Sequence, residues 1–219
     1  MLLLGSVYAW GVFRVEAEST YEINASLSGL PYMVSLVSYA GAMLLAGQWM
    51  SKYRKQIVML GVVLFVSGFW LSSLVDNFYL LIFTYGVLLG SGVGLLYGVP
   101  IYLVQRIFNK NIGLYSGLIL MGFGLSNTIM TPIIATLLKT QTIQFTMMIL
   151  GLISLGVFLI SIWPLFQDVN MEKKKINQTE TKITTYDHPS FQSLYAVYVL
   201  SLLSGLTIVG LSFPIGVTN

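Results

Sequence analysis

The sequence predicts an all-α membrane protein, and three observations carry that prediction. Of its 219 residues, 56% are hydrophobic and only 9% charged, whereas a soluble domain carries roughly 25% charged residues. Six stretches, at about 30–50, 57–75, 78–105, 112–138, 145–166 and 191–217, approach or exceed the length needed to cross a bilayer, which takes about 20 apolar residues for a core of about 30 Å. None of them contains Asp, Glu, Lys, Arg or His. The stretches are continuously apolar and lack the alternating polarity of barrel strands, so helices are the expected spanning form.

A shorter apolar stretch comes first, at about 1–13. Thirteen residues reach only about 20 Å as a helix, so this first helix is expected to lack its cytoplasmic end. The loops set the orientation. Lys52, Arg54 and Lys55 lie in the expected 51–56 loop, Arg106 and Lys110 in the 106–111 loop. Lys173, Lys174, Lys175 and Lys182 lie in the 167–190 segment, and only Arg14 and Lys139 lie on the other side. The basic side is expected to be cytoplasmic. Glu16, Glu18, Glu22 and Asp76 then face outward.

The 167–190 segment is the only long polar stretch and reads as a flexible cytoplasmic linker. The expected organisation is therefore a six-helix bundle over 1–166 with a truncated first helix, the linker, and a seventh transmembrane helix within 191–219.

Several function classes fall away. There are no cysteines, which excludes disulfides and thiolate metal sites. His188 is the only histidine and lies in the linker, a poor place for a catalyst or ligand. An intramembrane enzyme needs ionisable groups at depth, and the spans have none. A retinal pigment needs a lysine in its seventh helix, and 191–217 has none. No cofactor, metal or nucleic-acid partner is expected. Since an ionisable residue in a span usually marks a proton relay or counter-ion, either the substrate is neutral or its counter-charge sits on helices beyond this chain.

The 78–105 stretch is the most informative. Gly86, Gly90, Gly94 and Gly98 recur every four residues and so share one helix face. Pro100 interrupts the hydrogen-bond ladder near the cytoplasmic end. The next stretch carries Gly113, Gly117, Gly122 and Gly124. These glycines are read as close helix packing, compatible with the two helices sliding during a conformational change. Tyr8, Trp10, Tyr97 and Phe123 are aromatic residues placed at depth. Packing is the bland reading, yet a Tyr hydroxyl away from the helix ends needs a partner. Trp49, Tyr53 and Trp163 fit an interfacial belt better. Gly47, Lys52, Arg54 and Lys55 form a basic turn that serves orientation or a gate.

The segments GVGLLYGVPIYLVQR (92–106) and NKNIGLYSGLILMGFG (109–124) resemble the major facilitator superfamily, and within it the oxalate/formate antiporter family related to monocarboxylate transporters. GSVYAWGVF (5–13) and DHPSF (187–191) are similar to that family's first helix and its entry to the seventh. The resemblance implies two six-helix halves around a central cavity. It implies that Tyr8 and Tyr97 line that cavity, that Phe123 stands where a cavity aromatic is often Tyr, and that Trp10 matches the family tryptophan. The family's anion-binding Arg and Lys lie on helices 8 and 11, beyond Asn219. The gate after the second helix departs from the pattern, because Ser51 replaces its Asp and Arg54 its Gly.

The expected function is thus alternating-access transport of a small carboxylate. Its partners are the lipid bilayer and a C-terminal six-helix half. The alternatives are a carrier of another small solute, or a truncated fragment that transports nothing.

Overall fold

The computed structural model describes residues 1–108 and 110–166, with side chains through residue 161, and the isolated positions 197 and 200. The linker at 167–190 and the seventh helix expected at 191–217 fall outside the described residues, those two positions apart. The described chain is helical throughout. A 3-10 turn, Leu4–Ala9, feeds α1 (Trp10–Thr20). Then come α2 (Ala25–Ser28), α3 (Leu30–Ser73) and α4 (Phe78–Leu81). A π-helical segment, Ile82–Leu89, leads into α5 (Gly90–Ile107), followed by α6 (Ile112–Leu138) and α7 (Ile143–Phe166). The stretches Ala25–Ser73, Phe78–Ile107, Ile112–Leu138 and Ile143–Ser161 are each long and apolar enough to cross a membrane.

Helix starts follow local chemistry. The Asn24 side chain accepts from the Leu27 N–H, and Asn77 from the Tyr79 N–H; both satisfy an orphan donor of a first turn. Pro31 sits in the first turn of α3, where its missing N–H costs nothing. Asn111 takes the left-handed conformation, φ 57°, that turns the chain into α6, and Asn is one of the few residues that visits it cheaply.

Two boundaries differ from expectation. The six-residue loop at 51–56 is helical except at Tyr53 (φ −120°, ψ 30°). Lys52, Arg54, Lys55 and Gln56 are good helix formers, with no Gly or Pro among them to end the helix. The chain nevertheless reverses there. Residues 31–43 run alongside Gly86, Gly90 and Gly94 in the same direction as α5, whereas Gly61, Phe65 and Gly68 run against Leu96, Gly92 and Leu89 in the opposite one. The second and third spans are therefore the two arms of α3, with α5 packed on both.

The second difference is at the first helix, which continues beyond Phe13 to Thr20. Polar groups there are satisfied locally. Arg14 Nε donates to Glu18 Oε1 at 3.2 Å and to Ser28 Oγ at 2.8 Å. Its terminal nitrogen donates to the Ala25 carbonyl, and Ser28 Oγ donates to Glu18. This network ties α1 to α2.

The same rim holds Tyr21, whose hydroxyl donates to the Val75 carbonyl at 2.9 Å. Burial, then the nearby Asp76 carboxylate, raise the Tyr21 phenol above its usual 10. With the folded value raised, its stabilisation is complete below about pH 10 and is lost as pH rises through the folded value. Melting temperature against pH should therefore fall less steeply in Tyr21→Phe than in wild type on the alkaline side. Identical alkaline limbs would remove Tyr21 from that account.

The core lies between the first helix, the first arm of α3 and the π segment. Trp10, Phe13, Ala17, Tyr85 and Leu89 are all buried. By contrast α6 is thinly covered, with Leu114, Leu118, Met121 and Leu125 exposed.

Candidate functional site

The first helix, the first arm of α3, α5 and α6 converge on one aromatic cluster. Phe123 of α6 is at its centre. Its ring meets Tyr8 edge-on at 5.3 Å between centroids and Tyr97 at 4.9 Å. Tyr97 in turn meets Tyr39 at 5.5 Å, and Tyr8 meets Tyr32 at 6.4 Å. All four pairs take the edge-to-face geometry that ring quadrupoles favour. Tyr8, Tyr39 and Tyr97 are only partly buried, so their rings form a wall that a solute can reach.

Backbone close approach builds this wall. A Cβ on Gly5 would meet the Phe123 carbonyl at 2.6 Å and would overlap Ser126. The absent side chain lets the first helix lie against α6 and brings Tyr8 onto Phe123. One turn further round, Ser6 and Ser126 are buried with hydroxyls that find no protein partner, as does Tyr32. Such groups are rare in a native interior.

Three of the four aromatic residues singled out from sequence, Tyr8, Tyr97 and Phe123, come together. Trp10 does not join them. Its ring is 2% exposed and packs against Tyr85 at 4.6 Å and Phe13 at 6.2 Å. Its indole N–H donates to the Ser28 carbonyl at 2.8 Å. Trp10 anchors the core instead of facing a cavity, because the one indole donor is already used inside the bundle. Tyr32 and Tyr39 were not foreseen. They stand seven residues apart, two turns of one helix face, and that spacing is the signal that could have found them.

The glycines divide by face. Side chains at Gly86 and Gly90 would meet Val34 at 2.8 Å and the Ser35 carbonyl at 2.6 Å, and one at Gly94 would overlap the Tyr39 carbonyl. The shared face of Gly86, Gly90 and Gly94 therefore packs on the first arm of α3, not on α6. Gly98 extends that face only to an ordinary 3.6 Å contact with Met50. Gly92 looks the other way, onto Phe65 of the second arm at 2.5 Å. Gly47, Gly113 and Gly117 correct the reading as packing residues, since nothing approaches a Cβ built on them within 4 Å. Periodicity tells which residues share a face and not whether that face is covered. Pro100 leaves α5 helical through Ile107; it lines an apolar groove of about 240 Å³ with Leu96, Val99, Val58 and Val62.

Among the basic residues, Lys52, Lys55 and Arg106 are exposed and Arg54 is half-buried, all at one end of the bundle. Lys52 Nζ lies 5.0 Å from the Tyr53 ring centroid and the Arg106 guanidinium 4.9 Å from that of Tyr102. No cluster of three or more metal-ligating side chains exists among the described residues.

The sequence profile of the Major Facilitator Superfamily matches residues 2–218. The chain belongs to that superfamily. It is a multi-pass membrane transport protein and not an enzyme. Among curated relatives it is 26% identical to the Oxalate:formate antiporter of Oxalobacter formigenes over 220 residues, 98% of this chain and 52% of the relative. It is 26% identical to the uncharacterized MFS-type transporter YhjX of Escherichia coli (strain K12) over 217 residues, 95% of this chain and 53% of that one. Against Monocarboxylate transporter 14 of Homo sapiens it is 29% identical over 162 residues, 72% of this chain and 31% of the relative. The chain thus spans about half the length of the first two of these relatives. In this Major Facilitator Superfamily chain, the aromatic cluster lies where four of the described helices converge.

Proposed function

We propose that this chain supplies the N-terminal half of a secondary transporter that moves a small organic anion by alternating access. Oxalate, formate and other monocarboxylates are the substrate class. The domain reading follows: a six-helix bundle over 1–166, a linker at 167–190, and the start of a second half at 191–219. The basic ends of the bundle face the cytoplasm, and the protein resides in the cell membrane.

The aromatic cluster is the observation that carries this reading. Tyr8, Tyr39 and Tyr97 combine apolar ring faces with phenolic donors, and Phe123 holds two of them in place. Ring faces suit the carbon skeleton of a small acid, and phenols donate to carboxylate oxygens. The described part of the wall has no cation within it, so the substrate's charge is held by Arg or Lys from the facing half. Rocking one half on the other then exposes the wall to each side in turn. Two relatives whose names include oxalate, formate or monocarboxylate support the substrate class.

The test is uptake of labelled oxalate, formate, lactate and pyruvate by vesicles containing the full-length protein. Tyr97→Phe and Tyr8→Phe should each raise the KM of the transported acid about tenfold, the worth of a hydrogen bond to a charged group. Phe123→Ala should lower uptake by misplacing both tyrosines. No saturable uptake of any of the four acids would remove this substrate class. Unchanged kinetics in both Phe variants would remove the wall from the binding site.

A further inference from the structure

One end of the bundle is crowded with cations that have no acidic counterpart. Lys52, Arg54 and Lys55 surround the reversal of α3 at Tyr53. Arg106 and Lys110 follow the last turns of α5 and the turn into α6. The two groups lie at the same end, since Gly98 of α5 sits beside Met50 and Arg106 lies two turns further along. Every acidic residue among the described ones is at the opposite end: Glu16, Glu18 and Glu22 close α1, and Asp76 lies beside Tyr21. Two of the cations rest on aromatic rings, Lys52 on Tyr53 and Arg106 on Tyr102. Trp49 is 53% and Tyr53 41% exposed on the same turn. Exposed Trp and Tyr mark the headgroup level of a bilayer, and cations at that level attract anionic headgroups.

We propose that this end of the bundle is a docking surface for anionic phospholipids, whose phosphodiester groups are held by Lys52, Arg54, Arg106 and Lys110. Charge complementarity selects that occupant: five cations, no carboxylate among the described residues at this end, and a belt of exposed Trp and Tyr that places them at headgroup depth. The aromatic rings hold the Lys52 and Arg106 head groups without neutralising them, which leaves their charge for the lipid. The cations flank the reversal of α3 and the turn from α5 to α6. A lipid spanning them would brace the two arms of α3 against α5. This surface is separate from the aromatic cluster, and it stands whether or not the transported solute is a carboxylate.

The experiment uses the full-length protein purified in a neutral detergent. Phosphatidylglycerol and phosphatidylcholine are titrated separately, and bound lipids are counted by native mass spectrometry alongside the melting temperature. Phosphatidylglycerol should be retained and should raise the melting temperature more than phosphatidylcholine. The preference should shrink in high salt, since exposed charges are screened. Each charge removed should weaken retention about fivefold, so Lys52→Gln/Arg54→Gln/Arg106→Gln should lose about two orders of magnitude. Lys139→Gln at the other end should change nothing, and Arg54→Lys/Arg106→Lys should keep the preference. Equal retention of the two lipids by the wild-type protein would overturn the proposal, with no variant needing to fold. So would full retention by the triple variant, or displacement of the lipid by millimolar inorganic phosphate, which would mark a soluble-anion site.

Discussion

Replacing Gly90 by Ala should destabilise the protein, while the same change at Gly113 or Gly117 should stabilise it. Gly90 lies where α5 touches the first arm of α3. A methyl group there would sit 2.6 Å from the Ser35 carbonyl and 2.8 Å from the Ser35 Cα. Both are backbone atoms, so no rotamer change can relieve the overlap and the helices must move apart. Overpacking of this kind costs about 1–3 kcal/mol, which outweighs the gain of about 1 kcal/mol from replacing Gly by Ala in a helix. Gly94→Ala, against the Tyr39 carbonyl, should behave alike. Leu at either position should abolish the folded protein. The consequence reaches the site, because parting α5 from α3 also parts Tyr97 from Tyr39. Gly113 and Gly117 have open space within 4 Å, so Ala there collects the helix propensity without the clash. Thermal unfolding in detergent measures both signs. A chain of this size moves about 2–4 °C per kcal/mol. Matching shifts at Gly90 and Gly113 would contradict the assignment of packed and open faces.

Trp10→Ala should cost about 3–5 kcal/mol, the range for emptying a large buried aromatic site. In lipid the loss does not come from exposing apolar area to water, because the surrounding tails are themselves apolar. It comes from dispersion contacts with Tyr85 and Phe13 that nothing replaces, together with the orphaned Ser28 carbonyl. Trp10→Phe separates the two. It keeps much of the ring packing and removes only the 2.8 Å hydrogen bond to Ser28, so it should cost about 1–3 kcal/mol. Transport readouts distinguish this role from substrate contact. A core anchor lowers melting temperature and the amount of folded protein while the KM of the remaining carrier holds. A selective rise in KM in Trp10→Phe, with stability unchanged, would return Trp10 to the cavity wall.

Legibility of the fold divides along a physical line. The spans at 78–105, 112–138 and 145–166 agree with the helices because uncharged runs of that length leave no other way to satisfy their backbone in lipid. The breaks between spans were harder. At 51–56 a single residue, Tyr53, turns the chain within a run of helix formers, and nothing local distinguishes it from its neighbours. The first helix outruns its apolar stretch because Arg14 and Glu18 find each other and Ser28, a contact fourteen residues away for Arg14.

The candidate site was half legible. Tyr8, Tyr97 and Phe123 could be picked out as aromatic residues at depth, and they meet. Trp10 has the same sequence signature and lies in the core instead. Nothing in a residue's type says which way its side chain points when every face of a helix is apolar.

Composition alone made this a bundle of membrane helices, since a chain with 9% charged residues has no means of facing water. The four-residue spacing of Gly86, Gly90 and Gly94 likewise required that one face of that helix meet something closely. Only the tertiary structure decided what it meets, the first arm of α3 and not α6, and which aromatic rings share a wall. Those choices depend on how helices rotate about their own axes when packed. In a uniformly apolar helix that rotation is set by the shape of the neighbours, and shape is a property of the assembled bundle.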